Sequence, residues 1–217
     1  MNIKGYFDSV ATNWDDMRKG FFRENVRKKA FETAHIQPGK TAADIGAGTG
    51  FIAEDLIRRG LHVIAVDQSE AMLEVLKNKL PPSSRIDLRT GEAGNLPIDD
   101  NYVDYVFANM YLHHVLDPAD AIKEMIRILK PGGVLVITDM DKHSFVHLKS
   151  EHHDRWMGFE RADVHRWLET AGLKTVRVRC IDELCCAKSS DGKETARVSI
   201  FIASGKKPES TVKSTKQ

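Results

Sequence analysis

The stretch Ala42–Gly50, A-A-D-I-G-A-G-T-G, narrows the possible folds more than any other part of this 217-residue chain. A short apolar run, Thr41–Ile45, leads into glycines at alternate positions, Gly46, Gly48 and Gly50, and then into the amphipathic segment Phe51–Gly60. That order is strand, tight turn, helix. Glycine lets the backbone turn with positive φ and lets a ligand touch the main chain, so three of them after a strand mark a nucleotide-like site. A second apolar run, Leu61–Val66, ends in Asp67, where a carboxylate can accept from both hydroxyls of a ribose.

Asp44, two residues before the first glycine, separates the two cofactors this arrangement could serve. A dinucleotide sets its pyrophosphate on the helix amino terminus, where a carboxylate would repel it. S-adenosylmethionine has no phosphate but carries an ammonium and a sulfonium, which a carboxylate suits. The spacing is also G-x-G-x-G, with Phe51 where a dinucleotide site would want its third glycine. Three later blocks add to this: Gly91–Pro97 (G-E-A-G-N-L-P), Tyr102–Asn109, and Ile126–Gly133 (I-R-I-L-K-P-G-G). With them, residues 40–140 resemble the class I S-adenosylmethionine-dependent methyltransferases, in the type 11 or ubiquinone-biosynthesis-like branch.

The rest of the chain alternates strand and helix. Strands are expected at Thr41–Ile45, Leu61–Val66, Arg85–Thr90, Tyr102–Ala108 and Val134–Thr138. Between them come helices at Phe51–Arg59, at Glu70–Leu80 with Ser69 as its cap, and at Pro118–Leu129. A helix at Arg161–Thr170, a strand at Lys174–Ile181, a loop over Asp182–Thr195 and a strand at Ala196–Ala203 follow. This pattern predicts an α/β fold, a Rossmann-like doubly wound sheet, mostly parallel, with helices on both faces. The resemblance implies that the last two strands form an antiparallel pair at one edge. Residues 1–39 are expected to be a helical lid, 40–204 the methyltransferase domain, and the polar, basic residues 205–217 a disordered tail.

Open α/β sheets bind ligands beyond the carboxyl ends of their strands, where strand order reverses. Cofactor contacts are therefore expected from Asp44, Gly46, Ala47, Gly48 and Gly50, from Asp67, Gln68 and Met72, and from Asn109. The resemblance implies that Glu92, where the family most often has Asp, accepts from the adenine amino group and that the Ala93 amide donates to a ring nitrogen. It also implies that Tyr6–Trp14 folds over the cofactor, with Trp14 or Tyr6 either near the methionine moiety or simply packed on the core.

Methyl transfer from a sulfonium requires mainly that two partners be held in line, about 3 Å apart and free of water. Tyr111, His113 and His114 follow the fourth strand and are the candidates for a base, although the L-H-H pair is part of the resemblance, which favours a structural role under the cofactor. Asp141–Phe159, with His143, His147, His152 and Trp156, is expected to contact the acceptor. His143, His147 and Glu151 recur at four-residue spacing and could share a helix face as metal ligands. A solvated helix gives the same pattern, and no metal is expected. Cys180, Cys185 and Cys186 are an odd number, so reduced, buried thiols are expected rather than disulfides; two vicinal cysteines on a strand cannot both face one pocket.

A formal net charge of +1 gives no field for nucleic acid or a membrane surface. No stretch is apolar for long enough to span a bilayer, and Met1–Tyr6 lacks a signal-peptide core, so a cytoplasmic protein acting on a small-molecule acceptor is expected. The expected product is S-adenosyl-L-homocysteine. Two rivals stand beside this reading: a non-catalytic S-adenosylmethionine-binding protein, and a NAD(P)-dependent oxidoreductase on a similar sheet.

Overall fold

A computed structural model of the protein describes residues 3–209. Seven strands, β1 (Thr41–Ile45), β2 (His62–Asp67), β3 (Ile86–Thr90), β4 (Val103–Asn109), β5 (Leu129–Met140), β6 (Lys174–Lys188) and β7 (Thr195–Lys206), form one sheet. Its order is β3-β2-β1-β4-β5-β7-β6. β1 pairs in parallel with both β2 (Thr41 opposite His62) and β4 (Ala42 opposite Tyr105), so strand order reverses at β1 and β4. β7 is antiparallel to β5 and to β6.

The central strands are apolar on both faces because helices cover both. On β2, Val63 and Ala65 join one core with Val26, Phe31 and Leu56, while Ile64 and Val66 join the other with Ile122, Met125 and Leu168. The first face carries α3 (Glu24–Ala34), α4 (Ala53–Arg58) and α5 (Glu70–Lys79); the second carries α6 (Pro118–Ile128) and α8 (Arg161–Thr170). Local caps set the helix starts. Ser69 Oγ accepts from the Met72 amide at 3.1 Å, as expected, and Asp117 Oδ1 accepts from Ala119 and Asp120 ahead of α6.

Several boundaries differ from those expected. The helical preamble is broken into α1 (Ile3–Val10), a 3-10 turn at Ala11–Asn13, α2 (Trp14–Phe21) and α3, with Phe22 and Arg23 extended between the last two. The expected Asp182–Thr195 loop begins too early. β6 resumes after a register shift between Cys180 and Leu184, where Asp182 has φ +55°, and runs on to Lys188. This is a bulge: the extra residues break the alternation without ending the ladder. Gly205 and Lys206, assigned to the tail, belong to β7, and the Lys207 ammonium donates to the carbonyls of Ile126 and Leu129. The remainder of that tail, residues 210–217, lies outside the described residues.

Candidate active site

The glycine turn after β1 is pinned to the end of β2, since the amides of Gly46 and Ala47 both donate to the Val66 carbonyl, at 2.8 and 3.1 Å. Gly46 has φ +69°, and a Cβ there would stand 2.2 Å from Tyr111 Cδ2. The turn therefore needs glycine twice over, for its backbone and for the ring lying on it. Beside it, Asp67 accepts from the Gly48 amide through Oδ2 at 2.8 Å and from the Ser69 amide through Oδ1 at 2.9 Å. Burial pushes the Asp67 carboxyl above the usual carboxylate range, against the pull of those amides.

A cavity of about 550 Å³ opens at the carboxyl ends of β1 and β4. Gly46, Ala47 and Gly48 line it, with Asp67, Gln68 and Met72 from the β2 side. Glu92 and Ala93, after β3, and Asn109, at the end of β4, line it on either side of the glycine turn, and Trp14 covers the turn, its Nε1 3.7 Å from where a Gly48 Cβ would stand. Two residues expected at the cofactor stand outside this lining. The carboxylate of Asp44 accepts through Oδ2 from Ala53, the first amide of α4, at 3.0 Å. It is enclosed, and burial pushes its carboxyl up to about 7. Gly50 instead packs against Leu76, where a Cβ would fall 2.3 Å from Cδ1. Asp44 thus braces the start of α4 from behind the glycine turn and does not itself line the cavity.

Tyr111, His113 and His114 all line the cavity. His113 Nδ1 is 2.7 Å from Asp139 Oδ1, and the His113 amide donates to Asp139 Oδ2 at 3.3 Å, so one buried carboxylate fixes both backbone and ring. Burial would lower the His113 imidazole, but Asp139 and then Asp154 outweigh it and hold it at about 9. His114 goes the other way, well below its ordinary value, through burial and the neighbouring His113. Burial raises the Tyr111 hydroxyl, which leaves it protonated and unsuited to act as a base.

The Asp141–Phe159 segment divides. His152 lines the cavity, with the Tyr6 hydroxyl 3.4 Å from its Nδ1 and the Phe21 ring 5.1 Å away. His143, His147 and Trp156 lie outside the lining. His143 precedes the short α7 (Val146–Glu151) and its Nδ1 accepts from the Phe145 amide. His147 is buried, 2.7 Å from Glu194, and Glu151 instead bonds Ser190 across the β6–β7 hairpin. His143 therefore shares no helix face with His147 and Glu151, because α7 begins three residues after it, and the latter two are taken by Glu194 and Ser190. The Trp156 indole donates to the Val115 carbonyl at 2.9 Å and is otherwise exposed.

Further residues from α1, α2 and β6 complete the lining. Arg18 is buried there over the Phe51 ring, 4.3 Å from its centroid. Cys185 faces the cavity from β6, while its neighbour Cys186 does not, as strand alternation requires; burial pushes the Cys185 thiol up to about 12. Phe7 packs edge-on between Trp14 (5.4 Å) and His114 (5.1 Å), and the Tyr6 ring lies tilted against His153, centroids 4.7 Å apart. The one available signal for Asp139 and Asp154 was an acidic residue at the end of an apolar strand and another in the histidine-rich segment.

Residues 43–137 match the family described as methyltransferase domain, type 11. A demethylmenaquinone methyltransferase of Renibacterium salmoninarum is 34% identical over 146 residues, 66% of this chain and 60% of that protein. The chain spans about 60% of the length of the curated relatives it matches. Among solved structures, a putative methyltransferase of Haloferax volcanii, in complex with the Trm112 methyltransferase activator, superposes with TM-score 0.78 at 20% identity, covering 96% of this chain and 98% of that one. Phosphoethanolamine N-methyltransferase 2 of Haemonchus contortus in complex with S-adenosyl-L-methionine gives 0.71 at 17% identity, over 85% of this chain and 53% of that one. The strand order and the glycine turn agree with these matches: residues 43–137 are similar to the type 11 methyltransferase domain, and the chain shares the fold of the class I S-adenosylmethionine-dependent methyltransferases.

Proposed function

We propose that the protein transfers the methyl group of S-adenosylmethionine to a small-molecule acceptor by in-line displacement, releasing S-adenosyl-L-homocysteine. The observation that carries this is one cavity lined by Asp67 and Glu92, by the glycine turn at Gly46–Gly48, and by aromatic and apolar side chains including Phe7, Phe21 and Met140. When bound, the cofactor supplies an electrophilic methyl on its sulfonium. Asp67, held by two amides, is placed to accept from the ribose, and Glu92 with Ala93 to meet the adenine. Gly48, with only the Trp14 indole near where a Cβ would stand, lets the ligand approach the backbone, while Gly46 seats the Tyr111 ring. The α1–α2 segment acts as a lid: Phe7 and Trp14 exclude water from the reacting end, which favours displacement between two oriented partners.

For the acceptor, Phe7, Phe21, Met140 and Leu148 favour a flat, largely apolar molecule. A quinol-type ring meets that description, and the matched relatives are named for demethylmenaquinone. A cytoplasmic location is part of the same reading, supported by three cysteines without disulfides; among the described residues no helix is long and apolar enough to cross a membrane. The test is release of S-adenosyl-L-homocysteine with quinols, catechols, thiols and amines. Product with any acceptor supports catalysis, whereas tight cofactor binding with no turnover across the panel supports a non-catalytic binder.

A further inference from the structure

We propose that His113, His114 and Asp154 form a site for one divalent transition-metal cation of the zinc class, opening on the acceptor end of the cavity. One ligand atom from each lies within 4.8 Å of the other two. His113 Nε2 is 3.7 Å and His114 Nδ1 is 3.9 Å from Asp154 Oδ1, too long for hydrogen bonds and close to the roughly 3.4 Å between donors that share a tetrahedral ion. Small inward rotations of the three side chains would close the set.

Three independent features point the same way. His114 Nδ1 is buried and has no hydrogen-bond partner, although the ring also meets the backbone of His153. A native interior seldom leaves such an atom unused. His113 presents Nε2 to the site while its Nδ1 is held by Asp139 at 2.7 Å, the carboxylate–histidine pairing that orients metal-bound imidazoles. Finally, Asp154 is almost wholly buried and faces both imidazoles without a hydrogen bond to either ring, so a cation there answers an enclosed carboxylate.

The arrangement is also held in place. The amides of Arg155 and Trp156 both donate to the His113 carbonyl, at 2.9 and 3.0 Å, which locks the Asp154 loop onto the 3-10 turn carrying the two histidines. Two imidazoles and a carboxylate suit zinc, cobalt, iron or nickel better than magnesium or calcium. The three residues line the cavity, so the remaining coordination positions face whatever occupies it. There the ion would grip an oxygen or sulfur of the acceptor and favour its deprotonated form. That role rests on the methyl-transfer reading; the cation site itself does not.

The test is titration of the full chain, stripped with a chelator, with Co²⁺ followed by visible ligand-field absorption, then Zn²⁺ as competitor. Expected is one saturating equivalent of Co²⁺, displaced by Zn²⁺. The absorption should be absent from Asp154→Asn and from His114→Ala, and Asp139→Asn should weaken binding by about 10- to 100-fold. Circular dichroism melts check that each variant is folded. No saturable absorption in the parent overturns the proposal. So does absorption that persists in both ligand variants, or that disappears instead with His147→Ala or Cys185→Ser. Calorimetry with S-adenosylmethionine on the same samples separates the two readings. A chain that binds Co²⁺ but not the cofactor fails as a methyltransferase alone, and one that binds the cofactor but not Co²⁺ fails as a cation site alone.

Discussion

Asp44 keeps its proton to about pH 7 in the folded chain because burial opposes the charge more strongly than the Ala53 amide supports it. The ordinary carboxyl value is 3.8, so between 3.8 and about 7 the folded state holds a proton that the unfolded state has lost. Its contribution to stability is therefore fully present below the lower value and fades as pH rises through the window, by at most about 4 kcal/mol. Asp44→Asn should flatten that fall while keeping an acceptor for Ala53; urea midpoints from pH 4 to 8 for parent and variant check it, and parallel curves would contradict it. Gly46 offers a second test. Gly46→Ala should destabilise by about 1–3 kcal/mol, through positive φ and the collision with the Tyr111 ring. Adding Tyr111→Ala should remove the collision while the backbone strain persists, so the two changes should be measurably non-additive in denaturant melts.

Among the elements, α1 and α2 meet the site mainly through rings. Phe7 bridges Trp14 and His114, Phe21 meets His152, and Asp8 accepts from Ser69 Oγ at 2.6 Å at the start of α5. If this segment is the lid, Phe7→Ala should raise the dissociation rate of S-adenosylmethionine in stopped-flow by roughly 10-fold, the loss of one packed aromatic contact; an unchanged rate would show that the helices merely pack. Element types were largely legible. Ser69 announced its helix, and the apolar β2 run its strand, because caps and burial are local. The elements that were misjudged depended on distant partners. Asp182 and Glu183 look like a loop, yet β7 continues to pair beyond the bulge and carries β6 to Lys188. His147 looks like a solvated helix residue until Glu194, 47 residues on, is folded against it.

At the scale of the whole molecule, the reversal of strand order at β1 and β4 places the glycine turn, Asp67 and the histidines that follow β4 around one cavity. The cofactor half of that cavity was legible because its parts lie in the chain as motifs: ten of the residues named for it line the cavity, and Asp44 and Gly50 support the turn from behind. The acceptor half was less so, since Arg18, Asp154 and Cys185 reach the cavity from α2, the segment after α7 and β6, and Asp139 backs His113 from β5, only once the chain is folded. The central claim is that this cavity holds S-adenosylmethionine with its ribose on Asp67. Calorimetric titration of the full chain and of Asp67→Ala with S-adenosylmethionine tests it most directly. One equivalent should bind the parent, NAD should not compete, and Asp67→Ala should bind about 10- to 100-fold more weakly, as expected for loss of charge-assisted hydrogen bonds. Equal affinity in parent and variant, or displacement by NAD, would contradict the account.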